Sequence, residues 1–163
     1  MTPYAPILAA LGFILSKDRK QTLLVHRIHS KEDEHYGKFN GLGGKMLPEE
    51  DIASCIKREI MEEAGIKCTK LLLRGTINWT NFGKNGENWF GFIYRIDQYT
   101  GTPFQENKEG PLTWHAIDKL HHLPMWPGDR YFLPLVFDEH PGAFHGYMPY
   151  KNGDPISWSY QRL

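Results

Sequence analysis

Three closely spaced glutamates, Glu59, Glu62 and Glu63, are the residues whose type and spacing most directly suggest chemistry. A helix turns by about 100° per residue, which places Ile52 and Ile60 on one apolar stripe that faces a core. On the same helical wheel, Glu63 falls inside this stripe and Glu59 at its edge. Burying like-charged carboxylates costs free energy unless a counter-charge is present, and a divalent cation with oxygen ligands supplies one. The pattern therefore indicates a Mg²⁺ site, with a solvated acidic face of a helix as the competing interpretation.

A glycine-rich segment, Gly41-Leu42-Gly43-Gly44, precedes these acids and is predicted to be tightly turned backbone. Its N–H groups can approach a phosphate chain, and Lys45 adds positive charge. Met46 follows Lys45 where a nucleotide-binding phosphate loop needs Ser or Thr, and it also stands where the dinucleotide fingerprint needs its last glycine. The segment therefore favours phosphate contact without either of those two motifs.

The elements that must position these residues are a mixture of strands and helices. A helix is predicted to open at Pro48-Glu49-Glu50-Asp51, because proline and acids suit a first turn, and to end at Gly65 in a left-handed cap. Strands are predicted over 4–15, 22–28, 71–79, 89–96, 144–150 and 156–160, short helices over 114–120 and 129–138, and a hairpin turn at 152–154. This mixture predicts an α/β or α+β sandwich, in a single domain that covers residues 1–163.

The segment from Gly44 to Ile66 resembles the Nudix box, the pattern Gly-x5-Glu-x7-Arg-Glu-U-x-Glu-Glu-x-Gly-U in which U is a bulky aliphatic residue. All of its constrained positions are filled: Gly44, Glu50, Arg58, Glu59, Ile60, Glu62, Glu63, Gly65 and Ile66. The resemblance implies an α/β fold, an α/β/α sandwich around a central mixed sheet. It also implies hydrolysis of a nucleoside diphosphate linked to a further group, with Mg²⁺ or Mn²⁺ as the cofactor.

The same resemblance assigns roles to individual residues. The implied metal ligands are box acids and backbone carbonyls: Glu59, Glu62, Glu63 and Gly43 or Gly44. Glu50 is expected to pair with Arg58 and hold the preceding loop against the helix. The metal is expected to activate a water, whose proton goes to a box glutamate or to Glu109 from a later loop. Glu109 is also a candidate metal ligand, with a surface acid as its competing interpretation.

Residues 39–45, 125–131 and 144–147 further resemble the oxidised-purine nucleoside triphosphatases of that family, the MutT-type group. The substrate-binding residues implied by this resemblance are Arg27, Phe39, Asn40, Lys45, Trp126 and Asp129. Asn40 can donate to and accept from a purine edge, Trp126 offers a flat face for stacking, and Asp129 can hydrogen-bond the base. The competing interpretations are that Asn40 caps a turn and that Trp126 belongs to the core. The expected reaction converts a triphosphate such as 8-oxo-dGTP into the monophosphate and pyrophosphate.

Gly128 departs from the two adjacent aspartates found in the human-type enzymes of that group. A lone Asp129 that is ionised can accept hydrogen bonds from the N1–H and the 2-amino group of guanine, but it can donate none. Guanine is therefore expected to be preferred over adenine. A general dNTP- or dCTP-hydrolysing enzyme keeps the same box and stays an alternative. ADP-ribose hydrolases of the family usually carry a proline some fifteen residues after the box, and none lies between Ile66 and Pro103, so that activity is less favoured. Non-catalytic regulators of this fold typically lose box glutamates, and a regulator is less favoured because all of them are present.

Composition limits the expected partners. Basic and acidic residues both number 19, so the formal charge is 0, and neither polymeric nucleic acid nor an acidic membrane is the expected partner. The expected partner is a free nucleoside triphosphate, bound by a monomer or a small homo-oligomer. The two cysteines cannot form a disulfide framework, and the longest apolar run, Ile7–Leu15, is too short for a bilayer, so a cytoplasmic location is expected.

Overall fold

The computed structural model describes all residues, 1–163. It contains eleven strands, two α-helices and one 3₁₀ helix. In chain order these are β1 (Ile7–Leu15), β2 (Gln21–His26), β3 (Phe39–Asn40), β4 (Leu42–Lys45), α1 (Ile52–Ala64), β5 (Lys67–Phe82), β6 (Glu87–Thr100), β7 (Glu106–Asn107), β8 (Gly110–Ala116), the 3₁₀ helix (Ile117–His122), α2 (Asp129–Phe137), β9 (Phe144–Lys151), β10 (Asp154–Pro155) and β11 (Ser159–Arg162).

The strands form a mixed sheet whose central order is β10-β9-β5-β6-β1-β2-β8-β7. Strands β1 and β6 pair in parallel, as do β5 and β9, whereas the other neighbours are antiparallel. The short strands β4 and β3 extend the sheet beside β1 and β2, and β11 pairs with β9. The glycine-rich segment is therefore part of the sheet, next to its central strand.

Two hydrophobic clusters lie on opposite faces of this sheet. In β1, Ile14 belongs to the cluster that contains Ile56 and Ile60 of α1, whereas the adjacent Phe13 belongs to the cluster that contains Phe132 of α2. Adjacent residues of a strand project to opposite faces, so the two helices cover the two sides of the sheet. The predicted α/β/α sandwich with a central mixed sheet is confirmed.

Helix α1 begins later than the sequence predicted. Its N-cap is Asp51, whose Oδ1 accepts a hydrogen bond from the Ser54 N–H at 2.8 Å, and Pro48 lies in the turn that precedes the cap. The prediction of proline in the first helical turn is wrong, because the aspartate side chain is the group that satisfies the free N–H groups of the helix. The end of α1 is as predicted, since Gly65 has a left-handed φ of 70° and its N–H donates to Met61.

The prediction of a tight turn over 41–44 is also wrong. Residues Leu42–Lys45 form β4, which pairs antiparallel with β1 from Gly12 to Ala9. A Cβ built at Gly43 would collide with the carbonyl oxygen of Ala10. The glycine is therefore needed for the close approach of two strands and not for a turn.

Three further predictions change in extent. The helix predicted over 114–120 is wrong in its first half, because Gly110–Ala116 pairs with β2 as a strand and only Ile117–His122 is helical. The hairpin of β5 and β6 is present but longer than predicted, and register shifts bend it. The C-terminal hairpin turns at Asn152-Gly153 as predicted, with a two-residue second arm followed by β11. No helix has the length and apolar character needed to cross a bilayer.

Candidate active site

A cavity of about 310 Å³ opens where the sheet meets the start of α2. Seven of the predicted site residues line it: Arg27, Asn40, Gly43, Gly44, Lys45, Trp126 and Asp129. Asn40 belongs to β3, Trp126 to the loop before α2, and Asp129 is the first residue of that helix. Tertiary packing therefore brings the predicted base-binding residues into one cavity with the glycine-rich strand.

Glu63 connects the carboxylate helix to the wall of this cavity. Its Oε2 accepts a hydrogen bond from the Gly43 N–H at 3.1 Å. Burial, reinforced by the negative charges of Glu109 and Glu59, raises the pKa of Glu63 to about 8. In agreement with the helical wheel, Glu63 lies toward the interior, where an ionised carboxylate needs a positive partner.

Arg58 gathers three acidic side chains on the outer side of α1. Its Nε and Nη2 donate to the two carboxylate oxygens of Glu50 at 2.9 and 2.7 Å. Its Nη1 donates to Glu59 at 2.8 Å and lies 3.4 Å from the exposed carboxylate of Glu62. The hydrogen bonds from Arg58 lower the pKa of Glu50 to about 2. The ion pair expected between Glu50 and Arg58 is therefore present, and it fastens the preceding loop to the helix.

Glu59 lies close against β4. A Cβ built at Gly44 would be 2.6 Å from the carboxylate carbon of Glu59, so a larger residue there would displace this carboxylate from its place beside the strand. The Gly44 carbonyl oxygen accepts a weak hydrogen bond from the Cys55 thiol, with an S–O distance of 3.9 Å. The carbonyl proposed as a metal ligand at Gly44 is thus already in contact with α1.

Glu109 approaches the carboxylates from the turn between β7 and β8. The Asn107 side chain fixes this turn, because its Oδ1 accepts from the Glu109 N–H at 2.8 Å and its Nδ2 donates to the Glu63 carbonyl at 3.0 Å. Arg27 has its Nη1 3.4 Å from Glu109 Oε2, and its Nε donates to Asp33 at 2.7 Å. The structure therefore places Glu109 beside the end of α1, with Arg27 as its basic partner.

The donor set fits a hard divalent cation in its chemistry, although the acids are not gathered into a cluster. No three His, Cys, Asp or Glu side chains converge on one point, because Glu59 and Glu62 turn toward Arg58 and Glu63 turns toward Gly43. The side-chain donors are carboxylate oxygens, which Mg²⁺ and Mn²⁺ prefer. A bound cation would also offset the repulsion between Glu63 and its acidic neighbours. Arg58 contacts Glu59 through Oε1, so the second carboxylate oxygen of Glu59 is available as a ligand while the ion pair is kept.

The sequence pattern of the NUDIX domain matches residues 6–136. The chain belongs to the Nudix family. The Nudix hydrolase YvcI of Bacillus subtilis is 35% identical over 112 residues, which cover 66% of this chain and 69% of that protein. An oxidized purine nucleoside triphosphate hydrolase of Danio rerio is 33% identical over 120 residues, which cover 74% of each chain. This Nudix chain is therefore an enzyme that acts on pyrophosphate bonds, of the MutT-like subgroup.

A solved structure shows the same Nudix architecture. The MutT protein of Bacillus halodurans superposes with a TM-score of 0.81, over 95% of this chain and 97% of that one, at 24% identity. At this identity the likeness concerns the fold, and at 95% of the chain it extends beyond residue 136.

Asp129, predicted to bind the base, lines the cavity from the first turn of α2. Its N–H donates to the carbonyl of Trp126 at 3.0 Å. Enclosure by protein raises the pKa of Asp129 to about 7, against the opposing effect of the Lys38 charge. Asp129 therefore exists in both protonation states near neutral pH. The guanine preference predicted from the sequence applies to the ionised form of Asp129.

The residue before Asp129 has no room for a second acid. A Cβ built at Gly128 would collide with Met148 Sδ and with the hydroxyl of Tyr150. That hydroxyl accepts a hydrogen bond from the Gly128 N–H at 3.1 Å. The departure from the paired aspartates of the human-type enzymes thus follows from how β9 packs beneath the start of α2.

Two alternatives noted for the base-binding residues can be compared with the structure. Asn40 lies in β3, paired with Val25, and so does not cap a turn. Trp126 is half-buried: it lines the cavity and also packs against the cluster that contains Tyr150, with its ring centroid 4.7 Å from that of Phe82. Trp126 therefore belongs both to the cavity wall and to the edge of the core.

Phe39 does not line the cavity, in contrast to its predicted contact with substrate. Its ring stacks on His26 with centroids 4.0 Å apart and meets His115 edge-on. Phe39 packs against the same hydrophobic cluster as Trp126, so it lies beside the cavity and not in its wall.

The sequence analysis missed several residues that line the cavity: Glu34, His35, Trp79, Phe82 and Trp89. Trp79 and Trp89 are directly paired across the β5–β6 hairpin. Lys45 lies over the Trp89 ring, with Nζ 5.5 Å from the ring centroid. Two tryptophans at matching positions in a predicted hairpin were a usable signal, whereas nothing local marks the loop residue His35.

Proposed function

We propose that this Nudix enzyme hydrolyses free purine nucleoside triphosphates, oxidised ones such as 8-oxo-dGTP among them, to the monophosphate and pyrophosphate. The observation that carries the proposal is the cavity, which is lined by Asn40, Trp126 and Asp129 and also by Gly43, whose N–H donates to Glu63. We assign the base to the part lined by the first three residues, the base end, and the phosphates to the part beside Gly43, the phosphate end. The relatives named oxidized purine nucleoside triphosphate hydrolases, 33% and 31% identical, support the same substrate class.

The base end is suited to a flat ring with a polar edge. The Asn40 amide donates and accepts, and the Asp129 carboxyl can do either near neutral pH because its pKa is raised to about 7. Aromatic side chains complete the wall, with Trp79, Phe82 and Trp126 around the same cavity. A purine satisfies both the polar and the aromatic groups, which is the reason for placing the base here.

The phosphate end supplies positive charge and a close backbone. Lys45 and Arg27 line the cavity and can pair with phosphate oxygens, while Gly43 and Gly44 let a phosphate chain approach the strand. Glu59, Glu62 and Glu63 would hold Mg²⁺ or Mn²⁺ in this region. When bound, the cation neutralises charge on the phosphates and lowers the pKa of a water.

The reaction requires a proton acceptor near the attacked phosphorus. A water forms a bond to phosphorus, the bridging phosphorus–oxygen bond breaks, and pyrophosphate leaves from the monophosphate. The water's proton passes to a carboxylate, for which Glu63 and Glu109 are the candidates because they lie next to each other at the end of α1. Asn107 holds the Glu109 turn in place for this purpose.

The decisive experiment is a comparison of kcat/KM on 8-oxo-dGTP, dGTP, dCTP and ADP-ribose, with and without Mg²⁺, and with separate detection of pyrophosphate and phosphate. We expect 8-oxo-dGTP to be at least about tenfold better than dCTP, a difference of about 1.4 kcal/mol in activation free energy. Pyrophosphate should be the inorganic product, and a chelator should abolish turnover. Equal or better turnover of dCTP would support the general dNTP alternative and contradict the purine assignment.

Charge and cysteine chemistry support a free nucleotide as the partner and the cytoplasm as the location. The formal charge of 0 favours a small nucleotide over a polymer as the partner. Both cysteines are free and buried, in keeping with the proposed cytoplasmic location. The proposed biological role of the enzyme is to remove oxidised guanine nucleotides before a polymerase incorporates them.

A further inference from the structure

His35 forms a hydrogen bond with the tryptophan at the base end of the cavity. The Nε1–H of Trp126 donates to His35 Nδ1 at 2.6 Å, and the two ring planes meet at 81°. Both residues line the cavity, although they lie 91 positions apart in the chain. The contact joins the loop between β2 and β3 to the loop that precedes α2.

The chemistry of the contact fixes the state of the imidazole. An indole N–H can only donate, so His35 Nδ1 must accept and the ring proton must lie on Nε2. Burial, together with the positive charge of Arg27, lowers the pKa of His35, which keeps the imidazole neutral near neutral pH. Nε2 faces Glu34, whose Oε1 is 4.0 Å away. The surroundings of His35 therefore favour the tautomer that the contact needs.

The loop that carries His35 is held by contacts of its own. Asp33 accepts from the His35 backbone N–H at 3.0 Å through Oδ1 and from Arg27 Nε at 2.7 Å through Oδ2. On the other side, Glu34 Oε2 accepts from the Lys84 N–H at 3.2 Å. Because the loop is anchored on both sides, the imidazole forms a fixed acceptor for its partner in the cavity.

The other contacts of the Trp126 ring are less directional. Lys38 lies over it with Nζ 4.5 Å from the centroid, and Phe82 packs against it at a tilt of 54°. Apolar and cation–π contacts of this kind tolerate rotation of the ring, whereas a hydrogen bond restricts its direction. The hydrogen bond to His35 is therefore the directional contact among those that the indole makes.

We propose that His35 is a positioning residue for base recognition, which holds the Trp126 indole in the orientation against which a purine ring packs. The inference rests on the proposed function for the identity of its ligand. It concerns binding of the base and does not depend on hydrolysis.

The hydrogen bond itself can be tested by the indole N–H resonances of the five tryptophans. The Trp126 signal is assigned by its loss in Trp126→Phe. We expect it to shift upfield in His35→Phe, which keeps a ring but lacks the acceptor, and to stay close to its wild-type position in His35→Asn, whose Oδ1 lies near the place of Nδ1. An unchanged signal in His35→Phe would overturn the proposal.

The role in recognition is tested by metal-free titration with 8-oxo-dGMP, the expected product. We expect Kd to rise about fivefold in His35→Phe and to change by less than about twofold in His35→Asn, the scale of one hydrogen bond. In the Trp126→Phe background, His35→Phe should add less than about a twofold change. Far-UV circular dichroism and unfolding midpoints establish that each variant is folded.

The outcomes separate this inference from the proposed function. If His35→Asn and His35→Phe raise the Kd for 8-oxo-dGMP equally, a role that acts through the indole is rejected. The same conclusion follows if the effects of His35→Phe and Trp126→Phe on Kd are fully additive. A wild-type protein that does not bind 8-oxo-dGMP would likewise reject it. Binding with these mutational effects but without turnover of 8-oxo-dGTP would support the role of His35 and reject the proposed reaction alone.

Discussion

The carboxylate of Glu63 and the backbone N–H of Gly43 are joined by a hydrogen bond of 3.1 Å. This contact ties the acidic helix to the strand that lines the cavity, and it places a half-buried acid with a pKa raised to about 8 beside the proposed phosphate end. Glu63 therefore has a structural role, as a hydrogen-bond acceptor, and a proposed chemical role, as an acid that can bind a cation or take a proton. The two roles can be separated, because glutamine keeps the hydrogen-bond acceptor and loses the charge.

Glu63→Gln is expected to lower kcat by about 10²–10⁴-fold without lowering the thermal unfolding midpoint. The amide oxygen still accepts from Gly43, but the side chain can neither take a proton nor bind a cation as an anion. Steady-state rates at saturating Mg²⁺ and 8-oxo-dGTP measure this, with the exposed Glu49→Gln as the control. Glu62→Gln should act in the same direction. Near-normal rates in either variant would remove that glutamate from the chemistry.

Arg58→Lys is expected to weaken metal use by about 10- to 100-fold, seen as a higher Mg²⁺ concentration for half-maximal rate or a lower kcat. An ammonium cannot reproduce the two parallel hydrogen bonds to Glu50 while also reaching Glu59. The exposed Arg130→Lys provides a matched control. A Mg²⁺ titration of Arg58→Lys that overlays the wild-type curve would show that the ion pair does not organise the site.

The base preference is expected to depend on pH through Asp129. Its pKa is about 7, so above that pH the carboxylate accepts from guanine N1–H, and below it the protonated acid donates to adenine N1. The ratio of kcat/KM for 8-oxo-dGTP over 8-oxo-dATP should rise at least about tenfold between about pH 6 and pH 8. Both substrates carry the same triphosphate, so effects of pH on the metal site cancel in the ratio.

Asp129→Asn serves as the control for that profile. The amide has no titration in this range and can both donate to adenine N1 and accept from guanine N1–H at every pH, so its ratio should not change with pH. A wild-type ratio that is itself independent of pH would contradict control of the preference by Asp129.

The same aspartate makes stability depend on pH. Its pKa rises from about 3.9 in an unfolded chain to about 7 in the fold. Between these values the folded state holds the proton that the unfolded state releases, so the free energy of unfolding falls as pH rises, by up to about 4 kcal/mol. Asp129→Asn removes this loss. Urea unfolding without metal measures this. The free energy of unfolding of Asp129→Asn should increase relative to that of the wild type from pH 4 to pH 7, whereas the control Asp154→Asn, at an exposed position, should differ from the wild type by the same amount at every pH.

Gly128→Ala is expected to destabilise the protein by about 1–3 kcal/mol, because its Cβ would meet Met148 and the Tyr150 hydroxyl in a packed region. Denaturant unfolding measures the loss. Tyr150→Phe removes one of the two obstacles, so the double variant should lose less than the sum of the single losses. Strict additivity would mean that the hydroxyl does not limit the size of residue 128.

Much of the site could be predicted because its information is local. The helical period alone turned Glu63 toward the interior, and the Asn152-Gly153 turn marked its hairpin. The strand at 42–45 could not be predicted in this way, because Gly43 is required by the close approach of the Ala10 carbonyl on another strand. A glycine-rich segment is equally compatible with a turn and with the close approach of two strands, and only the position of the neighbouring strand distinguishes them.

The sequence by itself determined the row of carboxylates, the helix that carries it and the α/β class of the fold, since helix and strand periodicities are properties of adjacent residues. Only the tertiary structure decided that Phe39 packs beside the cavity and not in its wall, that His35 contacts Trp126, and that Asp129 is enclosed enough to hold a proton near neutral pH. These facts depend on contacts between segments far apart in the chain, and no local pattern encodes the register or the enclosure that produces them.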